Sequence, residues 1–284
     1  MTRLNGIIAA LERGDHAFGS FVAPEVPAAS ASATSAYDGL VFECEHKPWD
    51  VRVLRDCLQY LLGRRQIFES QTLAPAVTPV VRIPPNGAEH AQWHAKQALD
   101  LGFFGVVWPH ITTVPEAYNA VAACRYPRLP GDKCFEPEGI RGDSPAAAAR
   151  YWGIPNSEYY ACADVWPLDP EGEILVAIMI EDVAGIETLP AILDEVPGIG
   201  LVLIGEGDLS QELGHPREYE HPEVMAHKAR VLESCAAKGV AVGHPHVTTA
   251  NVERVIADGY RFLMSMPVTR DDALTRGREL TGRN

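Results

Sequence analysis

Residues 174–208 read ILVAIMIEDVAGIETLPAILDEVPGIGLVLIGEGD. Two apolar runs, 174–182 and 200–208, each close on acids, and the segment between them, GIETLPAILDEV, carries its apolar residues at helical spacing. A strand, a helix and a second strand in that order make a unit of parallel sheet, because parallel neighbours need a long crossover and a helix supplies it.

The alternation continues in both directions. Further candidate strands are AFGSFV (17–22), GLVFEC (39–44), TPVVRIP (78–84), GVVWPHI (105–111), GVAVGHPH (239–246) and YRFLMSMP (260–267), with helical segments between them. Several of those segments close on Gly, the residue that tolerates a left-handed cap. Eight βα units predict an α/β chain folded as one closed (β/α)8 TIM barrel over 1–284. The alternative, an open doubly wound sheet, usually carries GxGxxG after its first strand, and none follows 17–22. One stretch breaks the rhythm: 125–172 is crowded with Pro, Gly and aromatic residues, and a connection that long is expected to be a functional loop or lid, with a short helix at 146–149.

At 284 residues, with 46% hydrophobic and 22% charged residues, the chain can bury a full core. A formal net charge of −14 with no basic run excludes a phosphate-backbone or anionic-membrane partner. The six cysteines form no CxxC pair and read as free thiols of a reducing cytoplasm. The start, MTRLNGIIAALERGD, breaks its apolar run too early for a signal peptide, and no run approaches the ~18 apolar residues of a membrane span.

Catalytic groups of such barrels come from the C-terminal ends of different strands, and the polar residues fall there: His46, Arg82, His110, Glu181, Asp208, His244 and His246. Glu181 and Asp208 end neighbouring strands, and two carboxylates at one mouth suit an oxygen-loving divalent cation such as Mg²⁺ or Mn²⁺; the alternative is that each caps the following helix. A histidine can take and return a proton at neutral pH, so His46 is a candidate base, oriented by Glu43 or Glu45, or can simply be bonded within its loop. Arg82 is a fixed cation for a developing enolate oxygen. His90 and His94, in HAQWH, lack the acid of HExxH and read as surface helix. His244, His246 and His110 line the pocket or serve packing. Lysine is scarce, five residues, none placed to form a Schiff base, so carbonyl chemistry here calls for a metal electrophile.

In order along the chain stand EH-x-P (Glu45, His46, Pro48), VRIP (81–84), Pro109, RYP (125–127), GIRG (139–142), IED (180–182), GEGDLS (205–210), LGHP (213–216) and HPEV (221–224). With this ordered set the chain resembles the HpcH/HpaI aldolases, metal-dependent class II pyruvate aldolases related to citrate lyase β subunits, over nearly its whole length. The resemblance implies a barrel whose C-terminal helix is exchanged between subunits, in trimers paired into hexamers. It implies a lyase that reversibly cleaves a 4-hydroxy-2-oxoacid to pyruvate and an aldehyde, in the cytoplasm and in aromatic-compound catabolism. Glu181 and Asp208 would hold Mg²⁺, Mn²⁺ or Co²⁺; His46, Arg82, Glu43 and Asp100 would be catalytic, Asp100 reaching a neighbouring subunit; Arg82, Gly207, Asp208 and Pro109 would bind the ketoacid. The chain departs from the family's common residues at Glu43 (Asp), Met179 (Gln) and Glu206 (Pro), and at the end of the eighth strand. Rival readings are an oxaloacetate decarboxylase or acyl-CoA lyase of the same fold, and a ketoacid-binding protein without turnover.

Overall fold

The computed structural model describes residues 3–85, 87–265 and 272–283. Its strands are β1 (Ala17–Val22), β2 (Gly39–Glu43), β3 (Thr78–Arg82), β4 (Gly105–Trp108), β5 (Val165–Trp166), β6 (Ile174–Ile180), β7 (Leu201–Ile204), β8 (Ala241–His244) and β9 (Phe262–Met264). All but β5 form one parallel ring in the order β4-β3-β2-β1-β9-β8-β7-β6, closed by β4 against β6. This is the (β/α)8 barrel read from the sequence. The eighth candidate strand, 260–267, is described only as far as Ser265; its last two residues lie outside the described residues.

The strands are apolar throughout because both of their faces are buried. Phe21, Val41, Val80, Val107, Leu175, Ala177, Met179, Leu203 and Phe262 fill the barrel interior, whereas Leu40, Phe42, Val81, Val106, Ile178 and Val202 pack outward against the helices. The helix Gly6–Glu12 adds Ile7 and Ile8 to the interior cluster. Asn5 caps it, accepting from the Ile7 and Ile8 N–H groups at 3.1 Å each, and donates from Nδ2 to the carbonyl oxygens of Phe104 at 3.0 Å and Glu173 at 3.2 Å. A Cβ on Gly39 would collide with Ile7, so this close approach needs glycine.

The stretch 125–172 is not the open loop or lid its composition suggests. It holds the helices Ala146–Trp152 and Asn156–Cys162, and β5, which pairs with the first two residues of β6. Arg125 is fully buried and bonds both oxygens of Asp164, at 2.6 and 2.9 Å, with Arg128 on the same carboxylate. None of these residues lines the cavity at the C-terminal mouth. Proline and glycine here shape an ordered excursion at the opposite end of the barrel.

The helix Asp272–Thr281, expected to leave for another subunit, lies on its own barrel in this chain. Ala273 and Leu274 are buried, Gly277 approaches Phe18, and the Arg278 guanidinium stands 4.7 Å from the centre of the Phe18 ring. All six cysteines are unpaired, as expected, and five are buried. Among the described residues no helix is long and apolar enough to cross a membrane.

Candidate active site

Strand parity builds the site. The positions that put Val41, Val80, Met179 and Leu203 inside the barrel deliver Glu43, Arg82, Glu181 and Gly205 two residues later, to its C-terminal mouth. There a cavity of about 490 Å³ is lined by these residues together with His46, Asp208 and His246.

Arg82 is the cation of one wall. Its Nη2 bonds Glu43, its Nη1 lies 2.9 Å from Glu45 Oε2, and its guanidinium stacks 4.7 Å from the Phe21 ring centre. Glu43 also accepts the backbone N–H groups of Glu45 at 2.9 Å and His46 at 3.1 Å, which folds the turn after β2. The carboxylate beside the His46 ring is therefore Glu45, 3.6 Å from Nε2, and of the two orienters the sequence left open Glu43 is the one not used. His46 itself is two-thirds exposed at the cavity edge. Burial works against the charge of Glu45, yet His110, Arg82 and His46 together hold its carboxyl below the ordinary range.

His110, left open between packing and pocket, does not line the cavity but sits between two acids at the barrel mouth. It sits in the left-handed region, φ 50°, which turns its N–H onto Glu181 Oε1 at 2.6 Å. Its ring lies between Glu45, 3.4 Å from Nε2, and Glu181, 3.6 Å from Nδ1. Glu45, with Glu181 behind it, pushes His110 up to about 9. Sequence alone placed His110 at a strand end but gave no sign of the backbone turn that aims it.

Glu181 is 2% exposed, and burial raises its carboxyl above the ordinary range. The helix-cap alternative is filled by its neighbour: Asp182 Oδ1 accepts from Gly185 N and caps Val183–Glu195. A Cβ on Gly205 would collide with the Glu181 carboxylate, so glycine on β7's end is what lets that carboxylate lie across the mouth. Asp208 is exposed in the first turn of the helix Glu206–Glu212 and lines the same cavity. Glu45, His110 and Glu181 offer ligand atoms all within 4.8 Å of one another. A buried carboxylate whose charge is offset by His110 alone, with the carboxylates of Glu45 and Asp208 near it and a cavity in front, is a donor set that fits a hard divalent cation.

Not every expected residue arrives. Pro109 is buried behind the wall and does not line the cavity. Asp100, near the end of the helix Trp93–Leu101, is ion-paired to the buried Arg141 at 2.9 Å and is absent from this chain's cavity. Burial raises its carboxyl, with Arg141 opposing. His94 stacks on Trp93 in the first turn of the helix Trp93–Leu101, but His90 lies before that helix with φ 52°, so the two do not share the helix face the sequence suggested.

A second polar cluster was missed as a unit. Glu206, 1% exposed, pairs with Lys228, 2% exposed, and takes His246 Nδ1 at 2.7 Å and His244 Nε2 at 3.4 Å. Burial opposes the Glu206 charge, but His246, His244 and Lys228 hold the carboxyl down at about 2. Burial, with Lys228 nearby, holds His244 down at about 4. Both histidines were noted at a strand end; their partners come from the helices Glu206–Glu212 and Pro222–Lys238, which no local pattern links to β8.

The chain is 34% identical over 259 residues to a 2-keto-3-deoxy-L-rhamnonate aldolase of Salmonella paratyphi B, covering 89% of this chain and 83% of that protein. Its fold matches an HpcH/HpaI aldolase/citrate lyase family protein of Burkholderia cenocepacia, with a TM-score of 0.71 and 28% identity over 88% of this chain and 87% of that one. An HpcH/HpaI aldolase of Desulfitobacterium hafniense, 21% identical, shares the fold with a TM-score of 0.72 over 98% of both chains. The family model for HpcH/HpaI aldolase/citrate lyase matches residues 18–265, from β1 through β9, and the chain belongs to that family.

Proposed function

We propose that this chain is a class II aldolase that reversibly cleaves a 4-hydroxy-2-oxoacid into pyruvate and an aldehyde. The observation that carries the reading is the gathering of Glu181, Asp208, Arg82 and His46 around one cavity at the barrel mouth. Glu181 and Asp208 are the residues that would hold a divalent cation, which when bound supplies a Lewis acid for the 2-oxo group.

The chain's own groups do the rest. The 2-oxoacid carboxylate faces Gly207 and Asp208, whose N–H groups lie in the first helical turn and lack intrahelical acceptors. His46 Nε2 takes the proton of the 4-hydroxyl, the C3–C4 bond breaks, and the aldehyde leaves with the former hydroxyl oxygen as its carbonyl. The electron pair of that bond stays on the pyruvate half as an enolate, whose charge the Arg82 guanidinium offsets; a proton returned to C3 completes pyruvate. Arg82 is held for this by Glu43 and Glu45, so it cannot swing away as charge develops. Asp100 would serve only across a subunit contact, in a homo-oligomer.

The test is a coupled assay in which pyruvate released from a 4-hydroxy-2-oxoacid oxidises NADH. Wild type releases pyruvate, and His46→Ala lowers kcat by about 10²- to 10⁴-fold with a much smaller change in KM. Release of carbon dioxide from oxaloacetate with no cleavage of any aldol would replace this reading by the decarboxylase.

A further inference from the structure

The aldol chemistry above leaves one wall of the cavity unused. In the closed ring β3 and β8 stand four strands apart, so His246, just past the end of β8, lies across the mouth from Arg82. Its environment is built with care. Nδ1 is 2.7 Å from Glu206 Oε2, the ring lies parallel to Tyr219 at 4.9 Å with 2° between planes, and the carbonyl oxygen accepts from Asn251 Nδ2 at 3.0 Å. Behind it, Glu206 shares its other oxygen with the buried Lys228.

The ion pair with Lys228 fixes Glu206 as a carboxylate, which can only accept hydrogen bonds. The hydrogen between the two residues therefore sits on His246 Nδ1, and in the neutral ring Nε2 carries the lone pair. Among the described residues Nε2 has no hydrogen-bond partner, while the ring lines the cavity. An acceptor atom oriented by a buried carboxylate asks for an O–H donor. At Nε2 itself a carboxylate oxygen would meet a lone pair backed by Glu206, so this atom favours a hydroxyl, while Lys47 and Arg217 also line the cavity.

We propose that His246 is an acceptor-binding residue: Nε2 takes a hydrogen bond from a hydroxyl of the aldehyde half, so the chain selects hydroxylated aldehydes. Glu206 is its positioning residue. The inference rests on the aldolase reading and adds which aldehydes that reaction uses.

The experiment condenses pyruvate with glyceraldehyde, with propanal, which lacks hydroxyls, and with the anionic glyoxylate, and compares kcat/KM. Wild type prefers glyceraldehyde. In His246→Leu the glyceraldehyde-to-propanal ratio falls about tenfold or more, because a site built to bond a hydroxyl loses its discrimination with that bond, and His246→Gln, which keeps a polar tip, retains part of it. Glu206→Gln combined with Lys228→Met removes the carboxylate together with its buried counter-ion and moves the ratio the same way, mainly through KM for glyceraldehyde. An unchanged ratio in His246→Leu, with both aldehydes slowed alike, overturns the inference and leaves the aldolase intact, as does a wild-type preference for glyoxylate. A wild type that condenses pyruvate with none of the three overturns the aldolase reading and the inference with it.

Discussion

Single residues at the mouth are fixed by space as much as by charge. Gly205 is the sharpest case, since a Cβ there would strike the Glu181 carboxylate. Gly205→Ala should weaken Mn²⁺ binding at least about tenfold by calorimetry while leaving the far-ultraviolet spectrum unchanged. Arg82→Lys replaces a planar fork that reaches Glu43 and Glu45 together by a point charge that cannot, and should lower kcat by about 10²-fold with the fold retained. Arg82, Glu181 and Asp208 were legible because each ends an apolar run, where a charge has no packing reason to be. Glu45 and His110 were harder to read. Glu45 competes with Glu43 for the same reasoning two residues apart, and only the turn after β2 separates them. His110 acts through a left-handed backbone that sequence does not announce for histidine.

At the scale of elements, period-two parity carried the reading. Val80 and Arg82, or Met179 and Glu181, share a face by strand geometry alone, so barrel interior and barrel mouth follow from one pattern. Where the pattern lapses, at 125–172, composition suggested a lid and the structure gives an ordered segment tied by Arg125 and Asp164. Those partners stand 39 residues apart, beyond any local signal. Arg125→Met removes one of the two arginines on the buried Asp164 and leaves Arg128 there, so it should cost about 1.5–3 kcal/mol in denaturant unfolding, while KM of the molecules that remain folded stays at the wild-type value. A changed KM would return this segment to the active site.

For the molecule as a whole, the buried cluster between β7, β8 and the helix Pro222–Lys238 ties stability to pH. The unfolded chain binds a proton at His244 near its ordinary value of 6.5, whereas the folded chain does so only near 4. Between those values the unfolded state holds more protons, so stability is full above about 6.5 and falls on acidification, by up to about 3 kcal/mol for this group. Glu206, ordinarily near 4.5 and held at about 2 in the fold, extends the loss below pH 4.5. Glu181, raised to about 7 in the fold, works the other way over the same interval, so the cluster is read by difference: His244→Gln should lose less Tm than wild type between pH 7 and 4, and parallel curves for the two proteins would show that His244 does not carry this dependence. The barrel itself was legible because eight similar βα units repeat one pattern, whereas this cluster, joining two of them, was not. Cleavage as proposed requires a divalent cation held by Glu181 and Asp208. The most direct measurement is pyruvate release from a 4-hydroxy-2-oxoacid by chelator-stripped protein, before and after addition of Mn²⁺, in wild type and Glu181→Gln. Stripped wild type should be inactive and regain turnover with Mn²⁺ while Glu181→Gln does not; undiminished turnover in excess chelator would contradict it.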